Sequence, residues 1–549
     1  MLCLSSYTGF LRQGSRGFFV ALLLLTLLGT ILRTVKLGDY PGGFGQDEAV
    51  VLYDAWSLLT TGAEHHGDRW PINAREFGDY PSALPSYYMM PLVALFGPTA
   101  FVSRIFCALL NAAAVFFCGL LVRRLFRSNA AGVFAAALLA VSPWNLFFSR
   151  WSVSAGFCTF FQVFALWLLH RLLTGEGARG RSVWAAILVG FSLFLWTHEY
   201  LSQYFFAPFM IGMAMLLWCR GNWRRIFIAG GVYSLLMLAA IWIRVSNPAA
   251  SGRMQCSSIF YTGHILELFW KNYCHYQSFS FLFKSPTMLA LHQIPGVPHI
   301  QRFLLPFYLL GLGALTTAVF APGWLLRHLG RPDSPSDVSG WRRSAIWMLA
   351  GFALAPLAGA CFLQQFYTAR LTHLLVQVLL ITSVGCAVFW YWLRRLPLRA
   401  AGTIFIILLA LYLGQQTFRT ARGLIRNNVS FKRDLQQGVP EVMQYLAKQP
   451  NVHSAKFPRL LQGYIYHLLF TPVHPSQVNH AEVSPPEVTN QYAWRYSQVS
   501  RVGHYYFDQD LDRGEIAKTA TLRHQVRDAD RVWYDLYERN GDWFVLPHE

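Results

Sequence analysis

Runs of about 20 apolar residues, long enough to cross the hydrocarbon core of a bilayer as a helix, recur along this chain and constrain it more than any other feature. The first, FFVALLLLTLLGTILRTV, covers residues 18–35, and others are centred near residues 113, 138, 163, 190, 211, 234, 311, 353, 381 and 408. A bilayer offers no water to backbone N–H and C=O groups, so such runs are helices. The chain reads as a polytopic α-helical membrane protein with about 11 transmembrane helices. Composition agrees: 54% of the 549 residues are hydrophobic and 13% charged, with a mean hydropathy of +0.33.

The formal net charge of +19 would suggest a nucleic-acid partner in a soluble protein. Here the basic residues explain themselves otherwise. Arg12/Arg16, Arg123/Arg124/Arg127, Arg171/Arg179/Arg181, Arg220/Arg224/Arg225, Arg327/Arg331/Arg342/Arg343 and Arg394/Arg395/Arg399 fall at every second connection, as cytoplasmic loops do under the positive-inside rule. That puts the N-terminus in the cytoplasm and, with an odd number of spans, the C-terminus outside. No nucleic acid is expected; membrane lipids are. The first run has no small-residue cleavage site after it and reads as an uncleaved span. Of nine cysteines, Cys256 and Cys274 share one external loop, and whether they are bridged is left open.

The chain divides at residue 419 or 420. Residues 1–419 form the transmembrane domain, with external loops at 36–100 and 244–301; residues 420–549 are polar, rich in Tyr, His and charge, and read as a small extracytoplasmic α/β domain. Within it EVMQYLAKQ (441–449) reads as a helix, and RVWYDLYERNGDWFVL (531–546) as a β-hairpin turning at Asn540-Gly541. The cytoplasmic connections are short and carry no Gly-rich phosphate loop; GRPDSPSDVSG (330–340) reads as a flexible one. Chemistry therefore belongs outside.

The first external loop carries juxtamembrane helices. QDEAVVLYDAWSLLT (46–60) has acidic residues in its first turn and ends at Gly62. Asp47 and Asp54 share a face of it, while Glu48 is turned by about 100°. GDYPSALPSYYMMPLVALFG (78–97) is aromatic and broken by Pro81, Pro85 and Pro91, which suits a segment lying along the interface.

These blocks, with VSRIFCALL, VSPWNLFFSR, IPGVPHIQRFLLPFYLLGL and GYIYHLLFTPVHP, resemble in content and order the fold-C glycosyltransferases that use polyprenyl-phosphate sugars. The nearest branch is glycosyltransferase family 39, with its protein O-mannosyltransferases and aminoarabinose transferases of lipid A, in a bacterial subgroup. The resemblance implies an enzyme of the bacterial cytoplasmic membrane that moves a sugar from a polyprenyl-phosphate donor to an acceptor lipid, glycan or protein at the outer face. One departure stands out: the block DYPSALPSYY lacks the Lys that family members carry beside the carboxylate, so the lipid phosphate must meet other cations.

Such a site needs a base for the acceptor hydroxyl and cations for the leaving phosphate. Asp47 is the candidate base at the exit of the first span, with Glu48 supporting and Asp79 the second acidic group; the competing readings are a helix N-terminal carboxylate for Asp47 and a turn residue for Asp79. Arg150, Arg302 and Arg370 lie at the outer ends of spans, where the positive-inside rule does not require them, and are the candidate phosphate ligands. Snorkelling to the lipid headgroups is the competing role. Arg104 matches a common family Arg and otherwise anchors the second span. Tyr80, His198 and Glu199 are expected to line the substrate site, the last two on a solvent-facing turn. No metal-ligand spacing is read, no cofactor is assigned, and dependence on a divalent metal is left open. Two other classes remain: a transporter or flippase of lipid-linked sugars, which calls for ionisable groups at mid-membrane, and a polymerase or ligase.

Overall fold

The computed structural model describes residues 16–77, 79–175, 183–219, 223–246, 258–284, 293–294, 296–330, 334–363, 368–395, 401–426, 431–432, 435–457, 463–471, 474–478, 501–502, 504–507, 509–528 and 531–548. The first apolar run is α1 (Arg16–Thr34). The first loop then forms α2 (Gln46–Thr61). Its first turn holds Asp47 and Glu48, the Glu48 carboxylate reaches back to the Gly45 N–H, and Gly62 ends the helix in the left-handed region at φ 75°. The proline-broken segment becomes α3 (Leu84–Phe96), which tolerates Pro85 at its start and carries Pro91 inside.

The bundle continues with α4 (Ala100–Phe126), α5 (Asn129–Ala140), α6 (Pro143–Phe148), α7 (Ser154–Thr174), α8 (Val183–His198), α9 (Gln203–Trp218) and α10 (Trp223–Ser246). After α11 (Ile265–Gln277) and α12 (Phe279–Phe283) come α13 (Leu305–Phe320), α14 (Pro322–His328), α15 (Pro335–Leu354), α16 (Pro356–Ala360), α17 (Thr372–Leu393) and α18 (Ala401–Arg426). A helix stands at each of the eleven expected centres. Among the described residues eight helical stretches are long and apolar enough to cross a membrane; α5, α8 and α9, with 12, 16 and 16 residues, are shorter. The bundle's outside is apolar in the manner of a lipid-facing surface: Leu216 is 84% exposed, Phe320 78% and Leu235 71%. Within the loop read as flexible, residues 334–340 are instead ordered as a helix start; residues 331–333 lie outside the described residues. Ser334 caps α15 by accepting from the Asp337 N–H, and Pro335 opens the helix.

Two contact sets define the ends of the bundle. At one, Arg127 pairs with Asp337 at 3.0 Å, the Trp341 indole donates to the Phe126 carbonyl, and Arg395 donates to the His328 carbonyl. These are the connections rich in arginine. At the other, the first loop meets the C-terminal region: the Phe44 N–H donates to the Leu435 carbonyl at 2.8 Å, the Gly43 N–H to Gln437 Oε1 at 2.8 Å, and the Tyr466 hydroxyl to the Phe44 carbonyl at 2.7 Å. Gly43 sits at φ 84°, and a Cβ there would stand 2.7 Å from the Leu435 side chain. Only glycine lets the two backbones approach so closely.

The C-terminal region contains α19 (Val439–Ala447), β1 (Ser454–Lys456), α20 (Gly463–Phe470), β2 (Arg501–Val502), β3 (Tyr505–Tyr506), α21 (Arg513–Thr519), β4 (Thr521–Arg527), β5 (Val532–Arg539) and β6 (Asp542–Pro547). The strands form a mixed sheet of order β2-β3-β1-β6-β5-β4, with β1 parallel to both β3 and β6. The hairpin β5–β6 turns at Asn540 and Gly541, φ 53° and 86°, as an Asn-Gly turn between twisted strands requires.

Candidate active site

The adjacent carboxylates of α2 have different surroundings. Glu48 is wholly buried, and Arg104 of α4 grips it with Nε on Oε1 at 2.9 Å and Nη2 on Oε2 at 2.8 Å. The same guanidinium donates to the carbonyls of Pro41 and Gly43 at 3.0 and 2.8 Å, and the Ser152 N–H reaches Oε1 at 3.3 Å. Glu48, expected as the supporting member of the acidic set, is a structural anchor: a carboxylate with its lone pairs engaged by a bidentate arginine has no capacity left for an acceptor proton. Arg104 anchors this loop as well as its own helix. Asp47, one step round the helix, is half-buried. Tyr466, whose hydroxyl donates to the Phe44 carbonyl just before α2, has its phenol held well above its ordinary range by burial first, and then by Asp47 and Glu48.

Arg150 also departs from expectation. All its donors are spent on carbonyls at the end of α1: Nε on Tyr40, Nη1 on Leu32 and Arg33, Nη2 on Val35 and Lys36. It is a helix C-cap and not a phosphate ligand, because a guanidinium with five donors placed cannot turn to an anion without releasing them. Arg33 is similarly engaged, with the carbonyls of Gly29, Leu139 and Ala140 and with Asn145 Oδ1.

Asp79 closes a turn, accepting from the Tyr80 N–H at 2.8 Å. Tyr80 is buried, and its carbonyl accepts from Asn73 and from Nη2 of Arg244, the latter at 2.6 Å. Arg244 was hidden from sequence reasoning because it ends α10 and reads as an ordinary flank of a span. Here its guanidinium lies over the Tyr204 ring, 5.7 Å from the centroid, beside the very block that lacks the family's Lys. His198 bonds the Tyr204 hydroxyl through Nδ1 and faces the Ile72 carbonyl from Nε2 at 3.1 Å. Glu199 Oε2 accepts from Tyr88 of α3 at 3.1 Å. Both residues are buried, at 1% and 0% exposure. The expected solvent-facing turn is therefore covered, because α3 and the strand-like segment before it pack over the α8–α9 connection.

Arg302 is exposed and donates from Nε to the Phe283 carbonyl at 3.1 Å. Arg370 is buried with its guanidinium 4.0 Å from the Phe362 ring centroid; it partly offsets the burial that pushes the Tyr276 phenol up to about 12. Asp47, Glu48, Arg104 and Arg150 are thus gathered at the start of α2, Asp79, Tyr80, His198, Glu199 and Arg244 around α3, and Arg302 and Arg370 lie apart, in the short 3₁₀ turns Arg302–Leu304 and Thr368–Leu371 that lead into α13 and α17. Cys274 is exposed with a free thiol; Cys256 lies outside the described residues.

The loop following α2 was also overlooked. His65 is held from Nδ1 by Asp54 at 2.7 Å and faces the Tyr464 hydroxyl of α20 from Nε2 at 3.2 Å. Burial pushes the Tyr464 phenol up to about 12, so it stays protonated and can donate. The pair His65-His66 was visible in the sequence; the turn that brings it back onto α2 was not.

No family model matches the chain, and no curated protein matches it by sequence. Solved structures do. The oligosaccharyltransferase AglB from Archaeoglobus fulgidus, in complex with an inhibitory peptide and a dolichol-phosphate, is 10% identical, with a TM-score of 0.50 over 84% of this chain and 65% of that one. This chain therefore spans just under two thirds of AglB's length. ArnT from Cupriavidus metallidurans, bound to undecaprenyl phosphate, is 12% identical, with a TM-score of 0.46 over 84% and 86% of the two chains. The arabinofuranosyltransferase AftD from Mycobacteria is 14% identical, with a TM-score of 0.40 over 85% and 32%. At such identities the likeness is one of fold: the chain is a multi-pass helical membrane protein with the C fold of glycosyltransferases and a small C-terminal sheet.

Proposed function

We propose that this chain is an integral-membrane glycosyltransferase that moves a sugar from a polyprenyl-phosphate donor to an acceptor lipid, glycan or protein at the outer face of a bacterial cytoplasmic membrane. The observation that supports the reading is the meeting of the start of α2 with the C-terminal region: the Arg104–Glu48 pair fixes the helix start, half-buried Asp47 stands beside it, and the Tyr466 hydroxyl donates to the Phe44 carbonyl there. In a shared fold whose solved examples include one bound to dolichol-phosphate, this is where a lipid donor and a polar acceptor can meet.

In the proposed step, the acceptor oxygen attacks the anomeric carbon as Asp47 takes its proton. The bond from that carbon to the phosphate oxygen breaks, and its electron pair leaves with the polyprenyl phosphate. Arg370, Arg302 and Arg244 are the cations offered to that growing charge, and Arg244 takes the place of the missing Lys. Asp79 and Tyr80 shape the turn that presents Arg244, while His198 and Glu199 brace it from beneath.

The test is sugar transfer from a labelled polyprenyl-phosphate donor by purified protein in membranes containing native acceptor, wild type against Asp47→Asn. The expected loss is about 10²- to 10⁴-fold in kcat, the usual worth of a positioned base, with helicity unchanged. Equal turnover would remove Asp47 as the base. No turnover by wild type across a panel of donors would favour a carrier of lipid-linked sugars instead.

A further inference from the structure

The loop after α2 is built more tightly than a connector needs to be. Gly62 turns the chain back, the Glu64 N–H donates to the Asp68 carbonyl at 3.0 Å, the Gly67 N–H donates to the Glu64 carbonyl at 2.9 Å, and Ala63 bridges to Arg69. This folds residues 64–66 onto Asp54. Four potential ligands converge there. Glu64 Oε2 lies 3.1 Å and Asp54 Oδ1 2.7 Å from Nδ1 of His65, and the ligand atoms of Glu64, His65 and His66 all lie within 4.8 Å of one another.

Two features separate this cluster from a surface accident. The first is burial: the side chains of Glu64 and His65 are fully buried and that of Asp54 is 3% exposed, so two carboxyl groups face a single imidazole edge away from water. Buried charge is retained when it is paired or bound to a metal. The second is orientation from outside the cluster. The Glu64 carboxylate accepts from the N–H groups of His66 and Asp68 at 2.9 and 3.2 Å, and the Tyr464 hydroxyl stands 3.2 Å from Nε2 of His65. These contacts fix the far sides of both groups and leave Nδ1 turned towards the carboxylates, the arrangement in which outer partners orient metal ligands.

We propose that Asp54, Glu64, His65 and His66 bind a single divalent cation of the zinc class, which ties the loop to α2 and, through Tyr464, to the C-terminal region. Tetrahedral zinc with nitrogen and carboxylate ligands at about 2.0–2.2 Å places those ligands about 3.3–3.6 Å apart, so on binding the 2.7 Å Asp54–His65 and 3.1 Å Glu64–His65 contacts open slightly and the wider spacings of the cluster, up to 4.8 Å, close. Two imidazoles with two carboxylates disfavour magnesium and calcium, which prefer all-oxygen shells. Half-buried His66 is the side from which an ion enters. Asp54 lies seven residues from Asp47, about 10 Å along the helix, so the cation braces the site's scaffold without touching the reacting atoms. The proposal does not depend on the transferase reading.

The test uses the full chain, purified in detergent with a tag free of histidine, stripped by a chelator, dialysed and then given Zn²⁺, Mg²⁺ or Ca²⁺. Bound metal is counted by elemental analysis, and the midpoint of thermal unfolding is read in parallel. The expected result is one retained zinc per chain and a raised midpoint with Zn²⁺ alone. The retained zinc should be lost in His66→Ala and in Glu64→Gln but kept in His328→Ala, a histidine on a distant connection. Loss of zinc from a variant counts only if its elution volume and helical signal match wild type; the wild-type count decides the matter even if both variants misfold. Substoichiometric zinc in wild type, or an unchanged count in the folded variants, would overturn the proposal.

Discussion

At the residue scale, the site is decided by which charges are already committed. Arg104 gives four of its donor contacts to Glu48, Pro41 and Gly43, so removing it strands a carboxylate at 0% exposure. Arg104→Ala is expected to destabilise the protein by about 3–5 kcal/mol, the cost of breaking a buried pair from one side, read as a fall in the thermal midpoint in detergent. Arg104→Lys should recover little of it, because an ammonium cannot serve both oxygens in the forked geometry. The sequence could not separate Glu48 from Asp47, or Arg150 from Arg370, by residue type. What fixes Glu48 and Arg150 are partners 56 and more than 100 positions away, and such pairings leave no local trace. The face shared by Asp47 and Asp54 could be read from helical periodicity; the return of His65 onto Asp54 could not.

At the scale of the element, hydrophobic length and terminal chemistry carried most of the information. Gly62, Asn540-Gly541 and the apolar runs put helix ends, a hairpin and spans where those rules predict. The limits appeared where a run was interrupted. The run centred near 138 is cut by Ser142-Pro143 into α5 and the short α6, and Ser334-Pro335 starts a helix inside a stretch that looked flexible. Packing between elements was likewise invisible in advance. A Cβ on Gly385 of α17 would stand 1.8 Å from the Phe307 carbonyl of α13, and one on Gly311 of α13 would stand 2.1 Å from the Ile381 carbonyl. Small residues allow helix backbones to touch where lipid gives no hydrophobic drive to associate. Gly385→Ala should therefore force these helices apart and cost about 1–3 kcal/mol, as overpacking does, lowering both the yield of folded protein and its thermal midpoint.

At the scale of the whole molecule, the C-terminal region is joined to the first external loop through Leu435, Gln437, Tyr464 and Tyr466, and the stability of its sheet depends on pH. Asp535 of β5 is buried and accepts from Arg513, Gln525 and His548 at 2.9, 2.8 and 2.9 Å. Burial alone would raise its carboxyl, but those donors outweigh burial and hold it below the ordinary value of 3.8. A depressed carboxyl contributes stability above its unfolded value and loses it as pH falls through the folded one. Digestion by pepsin across falling pH is expected to open the C-terminal region below about pH 4 while the bundle stays intact. Asp535→Asn should weaken the region at neutral pH and flatten that dependence.

The bonds made by Arg33 also bear on how the protein comes into being. Its guanidinium is satisfied by Leu139, Ala140 and Asn145, the last 112 positions further along the chain. At roughly 5–20 residues per second, a ribosome needs some 6–22 seconds to supply that partner. For that interval the guanidinium has, of its final partners, only the Gly29 carbonyl of its own helix and those already made, and the helix must wait at the insertion machinery or at the lipid headgroups. Commitment of α1 to its final place is thus set by the arrival of α6, the fifth helix after it on the chain, and a segment made early is among the late ones to settle.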